Sequence, residues 1–234
     1  MHYFALLLGP ESTEEADEAT QAEIMTAYQN FHAKAGSAIV AGDALLPSAT
    51  GARITGGPDR PVVTDGPFAE GAEVAGGYYV FEAENLDEAL ALARDIPACQ
   101  SGAVEVWPMA DWSAPSKPLD GNNWLALLLE PPGNTPAPGT PEWEACVPPH
   151  IEFGKACGDR LNGSAPLHPP TTATTVKVRD GEVILTDGPY IEGAEVASGF
   201  YIINTADRDE AVKIASMIPA TSVELRRLAG ISAV

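Results

Sequence analysis

Two aspartates hold matching places in this chain. Asp65 lies in Thr64–Phe81, TDGPFAEGAEVAGGYYVF, and Asp187 in Thr186–Ile203, TDGPYIEGAEVASGFYII. Carboxylates brought to a cleft can serve as a general base or anchor a ligand. The same segments repeat a second carboxylate pair, Glu73 and Glu195. His150 is the histidine best placed to move a proton near neutral pH. It falls at the position of Tyr28 when the halves are aligned on Gly36 and Gly158, so it should face inward from a helix. The reading is proton abstraction or elimination without a cofactor. His150 is the acid/base, and Asp187 or Glu195 is its carboxylate partner. Asp65, Glu73, Glu195, Trp143 and His168 complete the candidate ligand-binding set, with His168 set against Pro47 at the end of a strand.

Each of these residues also has a plain structural reading. An Asp-Gly-Pro turn can use its carboxylate on local amides, its glycine for positive φ and its proline to fix the next residue. Glu73 and Glu195 suit a solvated strand edge, His150 a hydrogen-bonded core position, His168 a surface loop and Trp143 a core site. No metal is expected, because the four histidines are scattered without ligand spacing. Cys99, Cys146 and Cys157 are odd in number and lack CxxC spacing, which argues against a disulfide framework and for a reducing cytoplasm. The chain has no dinucleotide fingerprint, phosphate-binding Gly-Lys loop, GxSxG elbow or HExxH pair.

The net charge of −20 repels phosphate backbones and anionic membranes, so neither nucleic acid nor membrane is an expected partner. The opening MHYFALLLG has no basic leader region and too short an apolar run for a membrane span, and it reads as a strand. A small-molecule ligand, or a basic protein attracted by the acidic surface, fits better.

These residues are positioned by a repeat. Twelve of the eighteen motif positions are identical at a constant offset of 122, which implies two copies of one domain. Within the first copy, Tyr3–Leu8 reads as a strand, and Ser12 with Glu15 as a capping box. Ile24, Tyr28, Phe31 and Ala35 then form an apolar helical stripe that ends at Gly36. Ser37–Leu46 is a second strand, Ala52–Phe68 a hairpin turning at Gly56-Gly57-Pro58-Asp59, and Gly77–Glu82 a further strand. A helix capped by Asn85 ends at Ile96-Pro97, and Val104–Trp107 closes the copy. The second copy repeats this order with Trp124–Leu129, a cap at Asp207, Ile218-Pro219 and Val223–Leu225. Its first helix starts at Thr140-Pro141, and Pro148-Pro149 should kink it or break it in two. Residues 1–110 and 122–234 are the two domains, and Asp111–Gly121 is the linker.

A split β-α-β order around an antiparallel sheet predicts two tandem ferredoxin-like β-α-β-β-α-β domains, an α+β fold. Packed face to face they would form a pseudo-dimeric α/β barrel. The alternative is two separate beads, each covering its sheet with another molecule.

TDGPF and TDGPY resemble the DGPF, or YCII-related, family. Ala173–Gly181 leading into the second motif, the GGYY and SGFY strands, and the DEA of each second helix extend the resemblance over nearly the whole chain. It implies a dimeric α/β-barrel assembly and a bacterial cytoplasmic protein. It also implies either a lyase- or isomerase-type enzyme or a non-catalytic regulatory module of the sigma-factor-associated kind. Further homo-oligomerisation is compatible with it. The enzyme-like branch carries a histidine on the first helix and an aspartate before the proline that ends the second. Here those places hold Met25 and Val147, and Ile96 and Ile218.

Overall fold

The computed structural model describes residues 1–11, 17–67, 73–190 and 195–231. In chain order the first half holds β1 (His2–Pro10), α1 (Glu18–Ala35), β2 (Ile39–Ala44), β3 (Ala52–Thr55), β4 (Val62–Asp65), β5 (Glu73–Glu82), α2 (Leu86–Ala93), α3 (Ala98–Ser101) and β6 (Ala103–Pro108). The second half holds β7 (Asn123–Glu130), α4 (Pro141–Cys157), β8 (Leu161–Pro166), β9 (Thr174–Arg179), β10 (Glu182–Asp187), β11 (Val196–Asn204), α5 (Arg208–Ala215) and β12 (Ser222–Arg227).

Local signals set most boundaries. Asn85 accepts from the Glu88 amide at 3.0 Å and Asp207 from Asp209 at 2.9 Å, each satisfying an orphan donor of its helix. Gly36 and Gly158 stop α1 and α4 at φ of 54° and 56°, a backbone that favours glycine. The Ser12–Glu15 capping box lies outside the described residues. Asp17 caps α1, accepting from Thr20 at 2.8 Å.

The strands form two six-stranded antiparallel sheets, ordered β10-β9-β6-β1-β5-β2 and β4-β3-β12-β7-β11-β8. The hairpins are exchanged: β9–β10 of the second half extends the first sheet, and β3–β4 of the first half extends the second. The registers match under the repeat. Val104 faces Val176 in one sheet, and Val223 faces Ile54 in the other. Separate beads are therefore ruled out, since each half completes its sheet with strands of the other.

The two sheets also touch at two seams. Leu45 bridges Leu228, with Leu46 N–H donating to Arg227 and Ala229 N–H to Ala44, each at 2.9 Å. Met109 bridges Leu167, with His168 N–H donating to Pro108 and Ala110 N–H to Pro166, each at 3.0 Å. These equivalent bonds put His168 opposite Leu46 in the repeat, so its expected alignment with Pro47 is one residue off.

Alternation along the central strands sorts side chains into three layers. Phe4, Leu6 and Leu8 of β1 meet Leu125, Leu127, Phe200 and Ile202 between the sheets. Tyr3, Ala5 and Leu7 point the other way, under Phe31 of α1 and Ala89 and Ala93 of α2. Trp124, Ala126 and Leu128 do the same under Phe153 of α4 and Ile214 of α5.

One expectation needs correction. Of the two outcomes expected at Pro148-Pro149, a kink or a break, the break is overturned, because α4 runs unbroken from Pro141 to Cys157. Both prolines are exposed, as are Glu144 and Ala145, so the carbonyls that lose their amide partners can bond water instead. The 111–121 segment packs on the second half. Ser113 pairs with Ser164, and the buried Asn162 accepts from Lys117 N at 2.8 Å and donates to Lys117 O at 3.1 Å.

Candidate functional site

A cleft of about 400 Å³ opens in the first half, between α1 and the end of β1. Its walls are mostly apolar: Leu7, Leu8, Leu45, Val74 and Ala75, with Ile24 and Tyr28 from the helix. β5 carries an extra residue beside the cleft, as β11 does at Ser198 in the second half. Leu7 pairs with Gly77 but Leu8 with Ala75, so Gly76 is bulged out and offers no side chain. Burial and the nearby Cys99 push the Tyr28 hydroxyl up to about 12, so it is a neutral donor at physiological pH.

One wall comes from the other half. Arg226 of β12, 2% exposed, reaches the cleft across the Leu45–Leu228 seam. Its Nε and Nη2 donate to the Leu46 carbonyl at 3.3 and 2.7 Å, and Nη1 to Glu224 at 3.1 Å. Glu224 is shared with Arg53, whose Nη1 lies 3.3 Å away and whose Nη2 pairs with Glu195. At the mouth of the cleft, Glu11 accepts from the Ser48 amide at 2.6 Å and from the Ser48 hydroxyl. Burial alone would raise the Glu11 carboxyl, but the two Ser48 bonds and the charge of Arg226 hold it below the usual range.

The sequence-predicted residues lie elsewhere. None of His150, Asp187, Asp65, Glu73, Glu195, Trp143 and His168 lines this cleft. His150 does face inward, with Nδ1 2.7 Å from the Tyr201 hydroxyl, against the outer face of the second sheet. Asp187 is on β10, in the first sheet, so the expected His150–Asp187 pair is not brought together. The carboxylate that His150 feels is Glu130, which is buried and takes up Thr221 N–H at 2.7 Å and Asn134 Nδ2 at 2.7 Å. Trp143 sits half-buried in the first turn of α4, outside the core cluster.

Of the two motif aspartates, one is paired and, among the described residues, one is not. Asp65 is exposed and pairs with Arg208 of α5. Asp187 is exposed, with no side-chain partner among the described residues. The backbone amide of the following glycine does the fastening, Gly188 to Ala173 at 2.8 Å and Gly66 to Gly51 at 3.5 Å. Glu195 clamps Arg53 of the hairpin donated to the second sheet. Glu73 accepts from the Tyr190 hydroxyl at 3.0 Å, and the Tyr190 amide donates to the buried Glu105 at 2.8 Å. Each repeated glutamate thus fixes a segment supplied by the other half.

Sequence reasoning missed Arg226, Glu11, Ser48 and Glu130. One signal was available. After the three-residue deletion, Arg226 falls where the first half has the fully buried Trp107, a large change in chemistry at one equivalent core position. It also passed over His32, whose Nε2 lies 2.7 Å from the Tyr79 hydroxyl. Tyr79 and Tyr201 are equivalent in the repeat, but their histidines lie one helical turn apart.

The pH behaviour of His150 follows from its surroundings. Burial lowers its pKa from the ordinary 6.5, opposed by the charge of Glu130. The unfolded chain therefore takes up this proton first as pH falls. The contribution is complete above about pH 6.5 and is lost below it as pH falls toward the folded value. His150→Gln, which keeps a partner for Tyr201, should lose less stability than the wild type between pH 7 and 5.5 in urea unfolding. An unchanged pH dependence would contradict the burial of this imidazole.

No described helix is long and apolar enough to cross a membrane, and no group of three His, Cys, Asp or Glu among the described residues could hold a metal ion. The family model of the YCII-related domain matches residues 1–113 and again 136–228, which covers most of both halves. The chain belongs to the YCII-related family. One relative is "Uncharacterized protein R00369" of Rhizobium meliloti (strain 1021), 40% identical over 85 residues. The match covers 34% of this YCII-related chain and 64% of that protein's length. Among solved structures, the crystal structure of "Putative Chlorite dismutase TA0507" superposes with a TM-score of 0.46 at 10% identity, covering 97% of this chain and 94% of that one.

Proposed function

We propose that this YCII-related protein binds a small molecule in the first-half cleft. The observation that carries this reading is the cleft itself, about 400 Å³ with apolar walls and a few polar groups, Arg226, Glu11 and Tyr28, gathered at it. We read the eight strands β6-β1-β5-β2 and β12-β7-β11-β8 as a pseudo-dimeric α/β barrel closed at the two seams. The repeats 1–110 and 122–234 are joined by 111–121. On this reading the site belongs to the pair of repeats, because Arg226 comes from the second.

The test uses Gly76. A Cβ there would meet nothing within 4 Å, and its φ is not positive, so Gly76→Trp should fill the cleft at little cost to the fold. A panel of small aromatic and aliphatic compounds is screened by thermal shift on both proteins. Binders of the wild type should lose their stabilisation on Gly76→Trp, while the variant alone melts within a few degrees of wild type. Binders indifferent to Gly76→Trp would place the site elsewhere.

A second reading keeps lyase- or isomerase-type acid–base chemistry in the second half. It is favoured by His150, a neutral imidazole fixed by Tyr201 and within electrostatic reach of Glu130. Glu130 then takes the part that Asp187 and Glu195 cannot fill from their positions. A non-catalytic module that meets a basic protein through the acidic surface is the remaining alternative. It predicts ligand binding without turnover of any compound bound.

A further inference from the structure

Ser48 is fully buried, yet it spends both its amide and its hydroxyl on the carboxylate of Glu11, an exposed residue of another segment. Two donors on two oxygens of one carboxylate make a directional anion site. Arg226 adds positive charge behind it, and only three of its five N–H groups are engaged among the described residues. The apolar walls begin immediately beside this site.

All three parts are missing at the equivalent place of the second half. Ser48 corresponds to Pro170, which has neither N–H nor hydroxyl, Glu11 to Pro132, and Arg226 to Trp107. The anion site is therefore not a by-product of the repeated fold. It was built, or kept, in one half only, and that half holds the cleft.

Resting on the small-molecule reading above, we propose that the cleft takes a small organic acid with an apolar body, its carboxylate replacing that of Glu11 on Ser48 and facing Arg226. Glu11 is then an internal stand-in that keeps the site filled when empty of ligand. Two acidic groups cannot share these donors, so binding requires Glu11 to swing into solvent, where its exposed position allows it. A free carboxylate alone competes poorly with one tethered on the same chain. An acid that also buries an apolar body against Leu7, Leu8 and Leu45 gains what the tethered side chain lacks. A neutral amide of the same shape gains the apolar contact but not the charge.

The experiment is a methyl-detected NMR titration of the whole chain with benzoate and with benzamide, on wild type, Glu11→Gln and Ser48→Ala. Glutamine can still accept from Ser48, and alanine keeps the Cβ of a fully buried site, so both variants should fold. Benzoate should move the Leu7, Leu8 and Leu45 methyls of the wild type. It should bind Glu11→Gln about tenfold more tightly, because a neutral competitor is easier to displace, and Ser48→Ala several-fold more weakly. Benzamide should bind all three proteins within about twofold of one another. Equal affinities for benzoate and benzamide on all three proteins, with those methyls moving, would overturn the carboxylate site and leave the cleft reading standing. If neither compound moves those methyls in any protein, both readings fall.

Discussion

Phe200→Ala should cost about 3–5 kcal/mol and still leave a single unfolding transition. Phe200 is 1% exposed and stacks on Phe4 of the other half, with ring centroids 4.7 Å apart. Tyr78 and Trp112 close around it, each at 6.0 Å. Truncation removes the ring and leaves a cavity between two sheets that cannot collapse independently, because each carries a hairpin of the other half. Both sheets should therefore weaken together. Urea unfolding followed by tryptophan fluorescence and by far-ultraviolet circular dichroism should give coincident midpoints, both shifted by the variant. Two separated transitions, or a cost below about 1 kcal/mol, would mean the halves are separate units in solution.

Arg226→Met should be comparably damaging, about 3–5 kcal/mol, for an electrostatic reason. The guanidinium is buried, caps the Leu46 carbonyl at the seam and pairs with Glu224. Methionine fills much of the volume but leaves that carbonyl unbonded and Glu224 with Arg53 alone, at 3.3 Å. Adding Glu224→Gln to Arg226→Met should restore part of the loss, because the residual cost is that of an incompletely paired, partly buried carboxylate. A double variant less stable than the sum of the singles would contradict this arrangement of charges. The same substitution removes the cation from the cleft, so the seam and the candidate site share one residue.

Much of the fold could be read from local chemistry. Asn85 and Asp207 cap the helices they were expected to cap, Gly36 and Gly158 end theirs at positive φ, and the Gly56-Gly57 turn closes its hairpin. What could not be read is which sheet each hairpin joins. Ile54 and Val176 are equivalent in the repeat, and either would suit Val104 in size, polarity and register. Pairing within a half and pairing across halves thus satisfy the same local rules, and only the tertiary arrangement separates them. The break expected at Pro148-Pro149 failed for a related reason. Proline's cost inside a helix depends on whether the freed carbonyls reach water, which burial decides.

The candidate site was less legible than the fold. The inward turn of His150 followed from periodicity, and its hydroxyl partner is Tyr201. The proposed carboxylate partners did not follow, because Asp187 travels with a hairpin into the opposite sheet and Glu195 is committed to Arg53. The cleft is lined by Gly76, which a strand bulge sets aside, and by Arg226 from across the seam, and at its mouth Glu11 meets Ser48, 37 positions away. None of these leaves a periodic signal. The repeated motif, conspicuous as it is, serves the exchange: Tyr190, Glu73 and Glu195 fasten hairpins to the partner half, while Gly188 closes its own hairpin.

The seam, the trans position of Arg226 and the cleft all rest on the exchange of hairpins. The most direct measurement is a methyl–methyl nuclear Overhauser spectrum of the intact chain, read at Val104 and Val223. Cross-peaks from Val104 to Val176 and from Val223 to Ile54 are the expected result. Cross-peaks from Val104 to Ile54 and from Val223 to Val176 would mean that each half keeps its own hairpin, and the exchange would be refuted.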